Sequence, residues 1–150
     1  MSANFLHLRG YDEQLFRLGF LAERYFPEDP NTTLLKLRQL AELLAQQVAA
    51  RFGVEIRVEE TQQQLLRRLE WDGVLEREVA ELFHGVRRKG NLANHDLHDD
   101  HATALKILRM AWQLGVWFHR TFGDPQFRSG PFQPPQPPPA GDPQLAEELQ

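Results

Sequence analysis

Apolar residues recur along most of this chain with the period of an α-helix, and they mark five segments. The first runs from about Asp12 to Tyr25, with Leu15, Leu18, Phe20, Leu21 and Ala22 toward the interior; Pro27 and Pro30 end it. Asn31 or Thr32 is positioned to cap the second, which carries Leu34, Leu37, Leu40, Ala41, Leu44 and Val48 and stops after Phe52 at Gly53. Val54 to Val58 alternates like a short strand but has no second strand to pair with, so it reads as an extended connector.

Thr61 caps a short third segment through Leu65, Leu66 and Leu69, and Asp72 is expected to cap a fourth with Val74, Leu75, Val79, Leu82, Phe83 and Val86. The fifth starts at Asp99 or Asp100 and reaches Thr121, carrying Leu105, Leu108, Met110, Trp112, Val116 and Trp117, with Gly123 as its stop. There is no internal repeat. Short connections between five helices predict an all-α, up-and-down bundle.

Proline punctuates the other end of the chain. Eight of the ten prolines lie at or after Pro125. Proline removes backbone donors and forbids continued helix, so the globular part is expected to close near Phe122 or Gly123, as a domain over 1–124. Residues 125–143, including GPFQPPQPPPAGDP, read as an extended Pro-rich spacer. Asp142 and Pro143, followed by QLAEELQ over 144–150, have the form of an N-cap, a Pro at the first helical position and the opening of another helix. The chain is therefore expected to be a piece of something longer.

Composition narrows the chemistry. With 150 residues there is room for one core of ordinary size. A net charge of −4 gives no global attraction to nucleic acid or membranes, although local basic patches remain open. The absence of cysteine excludes disulfides, thiolate metal sites and cysteine nucleophiles, and is in keeping with a cytoplasmic protein. The N-terminus lacks the apolar run of a signal peptide, and no window approaches a membrane span, so no membrane partner is expected.

The chemically informative stretch is RRKGNLANH, from Arg87 to His95. In a helix, Arg88 and His95 return to nearly one face about two turns apart, with Asn91 between them. Such a set can support metal-independent RNA cleavage: His95 as general acid or base, Arg88 holding the scissile phosphate, the RNA 2′-hydroxyl as nucleophile. Facing copies across a homodimer would strengthen the site. The structural alternative is equally concrete: Arg and Lys near a helix C-terminus oppose its dipole, Asn91 bonds backbone or another helix, and His95 is a hydrogen-bonding residue. Gly90 within a helix costs about 1 kcal/mol relative to Ala and calls for a reason, such as the close approach of a neighbouring helix.

Two further groups are less specific. His95, His98 and His101 recur among Asp96, Asp99 and Asp100, but a helix break at Asp99 makes a polar loop the simpler reading, and no metal is assigned. Arg67, Arg68, Arg77, Arg87, Arg88 and Lys89 could form a basic face, although Glu70, Glu76, Glu78 and Glu81 are interspersed. Trp112, Trp117 and Phe118 read as core.

The Arg88–His95 spacing resembles the Arg–His signature of the HEPN superfamily of helical domains. Three ordered stretches, YFPEDPNTTLLKLRQLAELLA, LFHGVRRKGNLANH and ALKILRMAWQLGVWFHRTFG, resemble the N-terminal domain of the R (HsdR) subunit of type I restriction endonucleases, a likeness that covers roughly residues 5–135. The resemblance implies a much longer parent with a PD-(D/E)xK nuclease and an ATP-driven translocase of double-stranded DNA, which needs ATP and Mg2+ and works with specificity and methylation subunits against unmodified foreign DNA. Neither engine is expected in this chain. It has no GxxxxGK[ST] loop, and Asp29, Asp72, Glu76 and Glu78 form no nuclease motif with a lysine. No cofactor is therefore expected here.

The HEPN likeness carries over Arg88 and His95, with Asn91, as candidate catalytic residues. The restriction likeness favours instead a non-catalytic module for partner or nucleic-acid contact, with Arg87, Arg88 and Lys89 as nucleic-acid-binding candidates. A purely structural bundle is the third reading.

Overall fold

The computed structural model describes residues 2–92 and 100–137. It is all-helical, as the periodicity predicts. A single short 3-10 turn, Leu6–Leu8, precedes α1 (Glu13–Tyr25), α2 (Pro30–Arg51), α3 (Gln62–Trp71), α4 (Arg77–Leu92) and α5 (His101–Phe122). The described residues include no strand, and none of their helices is long and apolar enough to cross a membrane.

Helix α2 is the centre of the bundle and packs against each of the other four. Its sequence explains this. Leu34, Leu37, Leu40, Ala41, Leu44, Ala45, Val48 and Ala49 are all buried, a wide apolar face in which alanines let neighbours approach closely. Around it Phe5, Phe26, Phe83 and Phe118 are almost wholly buried, each contributing about 1.5–3 kcal/mol by leaving water. On α1 the buried residues are Leu15, Leu18, Gly19 and Ala22, whereas Phe20, expected inside, is at the surface with its ring stacked near Phe16. Gly19 is there because the Phe5 ring occupies the place a side chain would fill.

Helix boundaries follow cap chemistry, and two differ from expectation. Helix α3 opens with a full capping box: Thr61 Oγ1 accepts from Gln64 N at 3.1 Å, and Gln64 Oε1 accepts from Thr61 N at 3.0 Å. Asp100 caps α5 through Thr103 N at 3.0 Å. The cap of α2, however, is Asp29, which accepts from Thr32 N at 3.1 Å, and not Asn31 or Thr32. Pro30 is the first residue of the helix, where its missing N–H costs nothing. Asp72 does not start α4; it closes α3, its amide donating to Arg68 O at 2.9 Å. Gly73 then takes φ 78°, and Val74 N bonds back to Leu69 O at 2.9 Å, so the chain wraps the helix end before α4 begins at Arg77. The Val54–Val58 segment is a connector, with Val58 93% exposed.

The last helix runs one residue past the expected Thr121, to Phe122, and Gly123 is its cap as expected, but packing does not stop with it. Beyond Gly123 the chain lies against the bundle: Phe127 contacts the rings of His119 and His7, Trp112 Nε1 donates to Ser129 Oγ at 3.2 Å, and Phe132 packs on Trp112. Gln133 meets the N-terminal segment. Its amide donates to Asn4 Oδ1 at 2.9 Å and its carbonyl accepts from Asn4 Nδ2 at 2.8 Å. Asn4 is buried, so this paired bond is made away from solvent. The next helix expected over 144–150 lies outside the described residues.

Candidate functional site

Helix α4 carries residues 87–92 of the RRKGNLANH stretch. Val79, Ala80, Phe83, Val86 and Gly90 form its buried face, at helical spacing. That register fixes the rest. Arg88 and Lys89 are exposed, Arg87 and His84 sit half-buried at the margins, and Asn91 is exposed beyond them. Gly90 has the reason the sequence asked for: α2 crosses α4 there, with Arg38 occupying the space of the missing side chain. The guanidinium of Arg38 then reaches Asn91 and donates to its Oδ1 at 3.3 Å.

Asn91 is thus tied to α2. Arg88 carries no carboxylate partner among the described residues. His95 lies outside the described residues, as do Asp96, His98 and Asp99, so the Arg88–His95 pair has no described geometry. His101 is placed: its Nε2 is 3.0 Å from Pro27 O, and its ring meets Phe26 edge-on, which ties the start of α5 to the α1–α2 corner. Among the described residues no three His, Asp or Glu side chains gather as metal ligands.

The proposed basic face divides in two. Arg68 is engaged by Glu60 through two bonds of 2.9 and 2.7 Å and by Glu55 O at 2.8 Å. Arg77 pairs with Glu81 at 3.3 Å. Lys89 acts on Asp100, helping to hold that carboxyl below the usual range behind the stronger effect of the Thr103 bonds. Arg67, Arg87 and Arg88 are left as a like-charged group around His84. Burial lowers the His84 imidazole, the charges of Arg87 and Arg88 lower it further, Glu70 pulls the other way, and Arg67 adds a smaller lowering. Burial also lowers Arg87, with Arg88 and Arg67 adding to it, and the Arg87 Nε is buried with no hydrogen-bond partner among the described residues.

Two neighbours of this group were not singled out by sequence. His84 falls on the same stripe as Arg88, four residues on, a spacing that could have found it. Trp71 lies off the Leu65–Leu66–Leu69 stripe of α3 and is 90% exposed.

Comparison with known proteins supplies a context. The chain is similar to a type I restriction endonuclease subunit. Over 118 residues, 79% of the chain, it is 35% identical to the EcoKI endonuclease subunit of Escherichia coli strain K12. The matched region is only 10% of that protein, so the chain spans about a tenth of its relative's length. No protein-family model matches the chain. No solved structure matches it.

Proposed function

We propose that the chain is the N-terminal, HEPN-like helical module of a type I restriction R subunit, and that it contacts partners or nucleic acid without cleaving either. The observation that carries this reading is the 35% identity to the EcoKI endonuclease subunit across 118 residues. That span takes in most of the bundle, so it reflects a shared domain and not one shared motif. In the full enzyme, a nuclease and an ATP- and Mg2+-dependent motor elsewhere in the parent would translocate and cut unmodified foreign DNA in the cytoplasm. Specificity and methylation subunits would direct them. The gene tests this directly. Continuation past Gln150 into a PD-(D/E)xK region and a helicase is the expected result, and an open reading frame lacking both overturns it.

A second reading is a metal-independent RNase acting as a homodimer, with Arg88, Asn91 and His95 in the site. The observation favouring it is the exposed Arg88 on the outer face of α4, which pairs with no carboxylate among the described residues. It requires RNA cleavage in EDTA that is lost in Arg88→Ala and His95→Ala. Silence of the unmodified chain at high concentration excludes it.

A further inference from the structure

The outer face of α3 and α4 combines cation and aromatic surface in a way that charge pairing does not explain. On α3, burial of Leu65, Leu66 and Leu69 turns Arg67 and Trp71 outward, one helical turn apart. On α4, burial of Val79, Phe83 and Val86 leaves His84 and Arg88 on the outer stripe, with Arg87 beside them. The two helices pack along each other. Arg67 is close enough to Arg87 for their charges to act on one another and on His84. Among the described residues no carboxylate pairs with Arg67, Arg87 or Arg88, although Arg68 and Arg77 on the same helices are both paired. This concentration of positive charge stands on a chain of net charge −4. Like charges held together repel, and a polyanion laid across them relieves the repulsion.

We propose that this face binds single-stranded DNA, with backbone phosphates on Arg67, Arg87 and Arg88 and an unstacked base on the indole of Trp71. The aromatic residue decides between single strand and duplex. A side chain that is 90% exposed offers a free ring face, and only a nucleic acid with accessible bases can stack on it. A duplex would use the arginines and leave the indole in water. Planar guanidinium groups suit phosphate oxygens better than a point charge would. The choice of DNA over RNA rests on the restriction-subunit reading above; the face itself does not depend on it.

The test is fluorescence anisotropy of short labelled oligo(dT) with the full 150-residue chain, read beside the chain's own tryptophan emission. Three phosphate contacts on a single strand imply a salt slope of about −2, so affinity should fall about 20-fold from about 50 to about 200 mM salt. Arg67, Trp71 and Arg88 are exposed, so their replacement leaves the core intact. Trp71→Ala should weaken binding about tenfold and remove the oligonucleotide-induced quenching. Arg67→Ala with Arg88→Ala should weaken it about as much again, while Arg17→Ala, which removes one exposed positive charge from α1, should not.

Absence of oligo(dT) binding at low salt overturns the proposal, and so does an Arg17→Ala loss equal to the α3–α4 losses. Tighter binding to a duplex of the same length overturns the single-strand assignment, and tighter binding to oligo(U) overturns the choice of DNA. If the α3–α4 variants instead lose co-purification with another subunit while no oligonucleotide binds, the face is a protein interface and the proposal fails. None of these outcomes bears on whether the gene continues into a nuclease and helicase, so the two readings fail separately.

Discussion

Gly90 and Arg38 mark a close crossing of α4 and α2: a Cβ placed on Gly90 would run into Arg38 Cβ and stand 3.1 Å from Leu34 O. These are a side-chain root and a backbone atom, neither of which can swing aside. Gly90→Ala therefore sets two effects against each other. Alanine gains about 1 kcal/mol of helix propensity, and the overpacked crossing loses about 1–3 kcal/mol. The steric effect should win, lowering stability by about 1 kcal/mol and displacing the Arg38–Asn91 bond. Thermal or urea unfolding of the variant decides it, and a rise in stability would show that the crossing has slack.

How much of this was legible follows from the range of each interaction. The capping box at Thr61 is written within four residues, so its position was readable. Pro30 was read as a stop because proline breaks helices, yet the Asp29 cap before it makes it a start. Asp72 carries the same ambiguity, resolved only by the positive φ of Gly73. Gly90 announced a close neighbour but could not name Arg38. The arginines were visible as charges, and the Arg77–Glu81 pair follows from i,i+4 spacing, whereas the capture of Arg68 by Glu60 and Glu55 needed the loop between α2 and α3 to fold back. The packing of residues 127–133 on the bundle was hidden for the same reason. It depends on Asn4, at the far end of the chain.

Thr33 joins the first two helices. It is buried, and its hydroxyl donates to Ala22 O at 2.6 Å, an acceptor near the C-terminal end of α1. Thr33→Val keeps the shape and removes the donor. The carbonyl would stay buried without this bond, so the expected loss is about 1–3 kcal/mol. Equilibrium unfolding in denaturant measures it directly; a change below about 0.5 kcal/mol would mean that the carbonyl finds water.

Asn4 should control the segment after α5. Its side chain both donates to Gln133 O and accepts from Gln133 N, and Ala3 N adds a bond to Gln133 Oε1 at 3.0 Å. Asn4→Ala removes the paired bonds and a longer bond to Glu23 of α1 at 3.5 Å, and leaves the apolar core between the helices in place. The segment should then open more often while the bundle melts almost as before, since local opening draws on a smaller free energy than global unfolding. Trypsin at Arg128 reports the opening. Cleavage there should quicken about tenfold in Asn4→Ala, and an unchanged rate would show that the contacts of Phe127, Ser129 and Phe132 hold the segment without Asn4.

His7 predicts how stability responds to acid. Burial against Gly115, with a smaller contribution from the neighbouring charge of His119, brings its imidazole from the ordinary 6.5 down to about 4, the nearby Gly115 backbone offsetting only part of this. The folded protein therefore holds His7 neutral in a range where the unfolded chain takes up a proton. Between about pH 6.5 and about pH 4 the unfolded state binds more protons, so stability falls as pH falls through that window. Glu23 acts in the opposite sense: burial raises its carboxyl, and the bonds from Ser2 and Asn4 only partly offset this, so protonating it favours the fold. His7→Gln isolates the first effect because it leaves Glu23 in place. The unmodified chain should lose melting temperature between pH 7 and pH 5, and His7→Gln should lose distinctly less. Parallel pH profiles for the two would mean that the His7 site opens to water and accepts the proton without cost.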